Sequence, residues 1–125
     1  MTPDGLRPRV LLVDDYPGML TSLKRLLEPD CDVVGGVADG AAAFGAVAAL
    51  QPDVVVLDLN LPDIGGLEVC RRIRQTNTHA KVILVSAMDD AVVRERGLAA
   101  GAVAVLAKYQ LGDVLLPTIQ KARVG

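Results

Sequence analysis

The chain has 125 residues, 51% of them apolar, and a formal net charge of −2, which is the usual size of one domain with ample material for a single core. A balance this close to neutral argues against a strongly electrostatic nucleic-acid binder. No apolar run approaches the ~20 residues that span a bilayer, and Met1 to Val10 lacks the charged-then-apolar pattern of a secretory leader, so a cytoplasmic protein is expected.

Val10-Leu11-Leu12-Val13 is the first short apolar run, continuous as a strand buried on both faces should be. Met19, Leu20, Leu23, Leu26 and Leu27 then recur at helical spacing, opened by Pro17 and stopped by Pro29. Val33-Val34 predicts a second strand, and the Ala-rich stretch from Ala42 to Leu50 a second helix with Phe44, Val47 and Leu50 on one side. Val54-Val55-Val56-Leu57 is the third strand, and Leu67, Cys70 and Ile73 mark the third helix. Val82-Ile83-Leu84-Val85 is the fourth strand, followed by a helix from Ala91 to Ala100 that Gly101 closes. Val103-Ala104-Val105-Leu106 and the span Val114 to Ala122 complete the series. In that last helix Pro117 forfeits a hydrogen bond and crowds the preceding turn, at about 3 kcal/mol, so the helix is expected to begin late or to be kinked.

Strand–helix alternation repeated in this way predicts a parallel sheet with helices on both faces, in one domain without a linker. Cys31 and Cys70 sit in apolar stretches with no metal spacing and read as free buried thiols. Arg71, Arg72 and Arg74 read as a solvated helix face, and His79 as a solvent-facing loop residue. Asp39, Asp53, Asp63, Asp89 and Asp90 read as caps, turn residues or solvated charges.

Ligands of such sheets bind beyond the carboxyl ends of the strands. The residues there are Asp14 and Asp15 after the first strand, Asp58 after the third, Ser86 after the fourth and Lys108 after the fifth. Two unit charges about 5 Å apart repel by roughly 3 kcal/mol at an effective dielectric near 20, so three such carboxylates call for a counter-ion. Hard oxygen ligands suit Mg²⁺, which commonly bridges carboxylates to phosphate. A carboxylate at such a site can also attack phosphorus and form an aspartyl phosphate. Lys108 supplies positive charge, Ser86 a hydroxyl donor, and Asn60 a backbone carbonyl in reach of the metal shell.

Val13-Asp14-Asp15 with Pro17, the run from Val56 to Asp63 with Gly65-Gly66, Val85-Ser86-Ala87, and Gly101-Ala102 followed by Lys108 closely resemble the receiver domain of bacterial two-component response regulators, in order and over nearly the whole chain. The resemblance implies a single doubly wound (βα)5 domain, flavodoxin-like, α/β, with a five-stranded parallel sheet of order 2-1-3-4-5 and an ordered core over about 8–124. It implies phosphorylation of Asp58, Mg²⁺ held by Asp14, Asp15, Asp58 and the backbone of Asn60, and phosphoryl contacts from Ser86 and Lys108. A sensor histidine kinase or histidine phosphotransfer protein would be the donor. The change would pass through the fourth helix, fifth strand and fifth helix to a partner, a homodimer or an output domain. No output domain is expected within this chain, which reads as the N-terminal part of a DNA-binding transcriptional regulator and contacts neither nucleic acid nor membrane itself. It is expected not to be an enzyme, beyond assisting its own phosphotransfer and dephosphorylation.

Three positions depart from the family pattern. Val105 stands where an aromatic switch residue is usual, and a β-branched side chain cannot swing as a ring does. Tyr109 follows the lysine where Pro is common, so the Lys108–Tyr109 bond is expected to be trans and Tyr109 to be a surface residue. Pro117 is the third. Two rivals remain: an aspartyl-phosphate phosphohydrolase, which needs an acid–base carboxylate where this chain has Asn60, and a phosphorylation-independent scaffold.

Overall fold

The computed structural model describes residues 7–76 and 79–124; what the sequence reading says of Met1 to Leu6 and of Gly125 lies outside the described residues. Strands and helices alternate as β1 (Arg9–Val13), α1 (Pro17–Leu27), β2 (Asp32–Val37), α2 (Gly40–Leu50), β3 (Val54–Asp58), α3 (Gly66–Thr76), β4 (Lys81–Ser86), α4 (Ala91–Ala99) and β5 (Ala104–Ala107). A single 3-10 turn, Lys108–Gln110, then runs into α5 (Leu111–Val124). The strands form one parallel sheet of order β2-β1-β3-β4-β5, the order expected.

The period of two along each strand sorts its side chains between two cores. Leu11, Val13, Val55, Leu57, Val82 and Leu84 face one side, where Val47 of α2 and Val69 and Ile73 of α3 pack on them. Val10, Leu12, Val54, Val56, Ile83 and Val85 face the other, against Leu23 and Leu27 of α1 and Leu115 and Ile119 of α5. Each large aliphatic side chain buried in this way contributes about 1.5–3 kcal/mol. The ends of β1, β3 and β4 are therefore firmly placed.

Two expectations need correction. The fifth strand lies one residue further on than Val103–Leu106; Val103 is an exposed lead-in whose amide still donates to the Val82 carbonyl at 2.8 Å. Of the two alternatives, a late start and a kink, the fifth helix does not take the late start. It starts at Leu111, because Leu111, Leu115 and Ile119 form a buried stripe at helical spacing that extends upstream of Pro117. Within it, the Thr118 hydroxyl donates to the Val114 carbonyl at 2.7 Å, beside the position where Pro117 offers no donor.

Two glycines set close approaches. A Cβ on Gly66 would lie 2.6 Å from the Asp58 carbonyl oxygen and 2.6 Å from the Leu59 Cα, while the Gly66 amide donates to the Leu59 carbonyl. A Cβ on Gly97 would lie 2.4 Å from Val105 Cγ2. α3 and α4 thus press directly on β3's end and on β5. Cys31 and Cys70 are buried free thiols, and among the described residues no helix is long and apolar enough to cross a membrane.

Candidate functional site

Strand register brings the chemically capable residues level with one another. Val13 pairs with Leu57, Asp58 with Val85, and Ser86 with Ala107. Asp14, Asp58, Ser86 and Lys108 therefore emerge at the same edge of the sheet, as the residues at strand ends predict.

One carboxylate oxygen from each of Asp14, Asp15 and Asp58 lies within 4.8 Å of the others. Asp14 and Asp58 are each only 3% exposed, whereas Asp15 is open to solvent. Asp14 accepts the Tyr16 amide at 2.9 Å. Asp58 accepts the Asn60 amide on Oδ1 at 3.1 Å and faces the Lys108 ammonium on Oδ2 at 3.4 Å. Burial above all, with the Asp58 charge adding to it, holds the Asp14 carboxyl above its ordinary value; the Tyr16 amide and Lys108 oppose the shift.

Three carboxylates against one ammonium leave the cluster strongly negative. Its donors are all hard oxygens at the mouth of a buried site, the set a divalent cation such as Mg²⁺ takes. Ser86 is buried, and its Oγ accepts the Met88 amide at 3.1 Å, so the hydroxyl proton is free to serve another acceptor. Asn60 adjoins the site through its backbone amide, with its own residue exposed. Met88 likewise joins through its amide, the residue as a whole being 64% exposed.

Val105 does not reach this cluster. It is half-buried on β5 against Gly97 of α4, part of the packing on one core. Tyr109 is 73% exposed, with its hydroxyl on Asp89, and no cis peptide bond occurs among the described residues. Asp39 and Asp90 cap α2 and α4 as expected. Arg71 and Arg72 are exposed, as a solvated helix face requires, and pair with Glu68; Arg72 also stacks 5.7 Å from the Phe44 ring centroid, and the half-buried Arg74 donates to the Ala80 carbonyl. His79 is exposed beside Asp53 at 3.1 Å.

Asp63 does more than a local turn requires. Its carboxylate accepts the Gly40 and Ala41 amides at 2.8 and 3.0 Å, and these amides hold its carboxyl below the usual range. It thus ties the loop after Asp58 to the start of α2, on the far side of β1. No spacing in the sequence signals a bond between residues so far apart in the chain. The steric role of Gly66 beneath Asp58 has only the Gly65-Gly66 pair as a sign.

The family model for the response regulator receiver domain matches residues 10–120. The transcriptional regulatory protein TrcR of Mycobacterium tuberculosis is 38% identical over 99 residues, which is 79% of this chain and 38% of TrcR. The nitrate/nitrite response regulator protein NarL of Escherichia coli is 30% identical over 118 residues, 93% of this chain and 55% of NarL. The chain spans about half the length, or less, of these curated relatives. The crystal structure of the response regulator domain of Thermotoga maritima CheB superposes with a TM-score of 0.88 at 31% identity, covering 95% of this chain and 98% of that one.

Proposed function

Because the chain belongs to the response regulator receiver domain family, we propose that it is a phosphorylation switch whose acceptor is Asp58. The observation that carries this reading is the meeting of the Asp14, Asp15 and Asp58 carboxylates with the Lys108 ammonium at one edge of the sheet.

In this reading an Asp58 oxygen attacks the phosphorus of a phosphohistidine on a sensor kinase or a histidine phosphotransfer protein. The phosphorus–nitrogen bond breaks, and the leaving imidazole takes up a proton. The carboxylates of Asp14, Asp15 and Asp58, with the Asn60 carbonyl, would hold Mg²⁺, which when bound would offset their charge and that of the incoming oxygens. Lys108 is the fixed cation for the transferred group, and the Ser86 hydroxyl donates to one of its oxygens. Loss of the group to water returns the domain to rest, so the chain assists only its own phosphorylation and dephosphorylation. The whole of 8–124 acts as one receiver unit, in the cytoplasm, and the similarity to TrcR and NarL supports a place in a DNA-binding transcriptional regulator. Signal leaves through α4, β5 and α5, with Val105 fixed rather than swinging.

Incubation with acetyl phosphate and Mg²⁺ tests the reading. One base-labile phosphoryl group per chain is expected by mass spectrometry, and none on Asp58→Asn. No uptake from any donor would instead favour a scaffold. Turnover of a phosphate ester at enzymatic rates would favour a hydrolase.

A further inference from the structure

The segment between Ser86 and α4 has no apolar anchor. Ala87, Met88 and Asp89 are exposed, and along the whole of α4 the one buried residue is Gly97, which has no side chain to bury. What holds the N-terminal half of α4 is polar. Asp90 accepts the Val92 and Val93 amides at 2.7 and 3.4 Å. Asp89 pairs through Oδ1 with the Arg94 guanidinium, and its Oδ2 accepts the Tyr109 hydroxyl at 3.2 Å.

These contacts close a ring around the proposed phosphoryl site. Asp89 is the third residue after Ser86, whose Oγ already takes the Met88 amide. Tyr109 is the residue after Lys108, whose ammonium faces Asp58. The Tyr109–Asp89 bond therefore staples together the two loops that carry the phosphoryl-contacting groups, and Arg94 extends the staple to α4. A group on Asp58 that draws the Ser86 hydroxyl and the Lys108 ammonium inward pulls on both ends of the ring. Exposed hydrogen bonds and ion pairs of this kind are individually weak, whereas a phosphoryl group forms charge-assisted ones.

Resting on the phosphorylation of Asp58, we propose that Tyr109, Asp89 and Arg94 form a clasp that holds the N-terminal half of α4 in the unmodified domain and opens when Asp58 is phosphorylated. The clasp takes the place of a moving residue at Val105, which is wedged against Gly97. Tyr109 and Asp89 act here as positioning residues.

Hydrogen exchange of the full chain tests both halves. In the unmodified protein, Tyr109→Phe should speed exchange of the α4 amides about five-fold while β1 and β3 stay unchanged, and Asp89→Asn should act in the same direction. Unchanged α4 protection in both variants overturns the clasp. With Mg²⁺ and beryllofluoride as a phosphoryl stand-in, wild-type α4 should reach the rate of Tyr109→Phe, and that variant should gain nothing further. Since the chain has two tyrosines and no tryptophan, the fluorescence of a Tyr16→Phe chain reports the Tyr109 hydroxyl directly and should change on adduct formation. If the adduct forms, seen by fluorine NMR, and α4 stays protected, the clasp fails alone. If no adduct forms, the reading of Asp58 fails, and the opening step with it.

Discussion

β3 and β5 are strands of one sheet, separated by β4, and they are built in opposite ways. Every residue of β3 is buried, and the strand ends in Asp58; in β5 only Ala107 is buried, and the strand leads to Lys108. The helix packed on β5 contributes a glycine to the contact, and polar bonds hold its first half. On the proposed reading, chemistry is mounted where the structure is hardest to move, and response where opening is cheap.

That contrast can be broken most directly by truncating each strand. Leu57→Ala, at a fully buried site on β3, is expected to cost about 2–5 kcal/mol of unfolding free energy in urea titration. Val105→Ala on β5 should cost roughly 1 kcal/mol. Equal costs would remove the distinction between the two strands.

Gly97→Ala comes next. Its Cβ would sit 2.4 Å from Val105 Cγ2 and 3.0 Å from Leu84 Cδ1, an overpacking of about 1–3 kcal/mol that outweighs the ~1 kcal/mol gain in helix propensity. Combining it with Val105→Ala should recover much of the loss, a coupling that a double-mutant cycle measures.

The site itself gives a smaller and pH-dependent effect. Burial raises the folded-state pKa of Asp14 above the ordinary carboxylate value, so the folded protein holds this proton more tightly than the unfolded chain. Stability from this group is full below the unfolded value, falls as pH rises through the raised one, and stays reduced above it. Mg²⁺ should therefore raise the melting temperature by a few degrees at pH 7 and progressively less toward pH 4. Asp14→Asn should melt higher than wild type without metal and lose the response to Mg²⁺.

Smallest is the reactivity of Cys70. Burial pushes its thiol up to about 11, and its Sγ lies 3.6 Å from the Ala100 carbonyl at the end of α4. At pH 8 about one thiol in a thousand is ionised, so alkylation of the native chain should be far slower than in denaturant. Fast native labelling would mean that the loose region extends past α4's first half.

Much of this is legible in the sequence because it is written at short range. Continuous Val and Leu runs mark strands buried on both faces, and an acidic or basic residue directly after a run marks a strand tip. Asp14, Asp15 and Asp58 follow such runs, Ser86 follows one as a neutral hydroxyl, Lys108 stands one residue further on, and all five lie at one edge of the sheet. What stayed hidden depends on partners distant in the chain. Asp63 reaches back to the amides of α2, and Tyr109 reaches Asp89, through bonds that no local spacing encodes. The early start of α5 is a contest between Pro117 and the Leu111–Leu115–Ile119 stripe, and only the burial of that stripe decides it. The one-residue offset of β5 follows from pairing with β4, which sets Ala107 opposite Ser86.

The close seat of Gly66 beneath the Asp58 carbonyl bears on how a survey of inactivating substitutions would look. Even a methyl group there would tilt the proposed acceptor out of line with its neighbours, although glycine offers no functional group at all. Position 66 would then score beside the acidic residues, and a map drawn from lost signalling alone would count it among the groups that touch phosphorus.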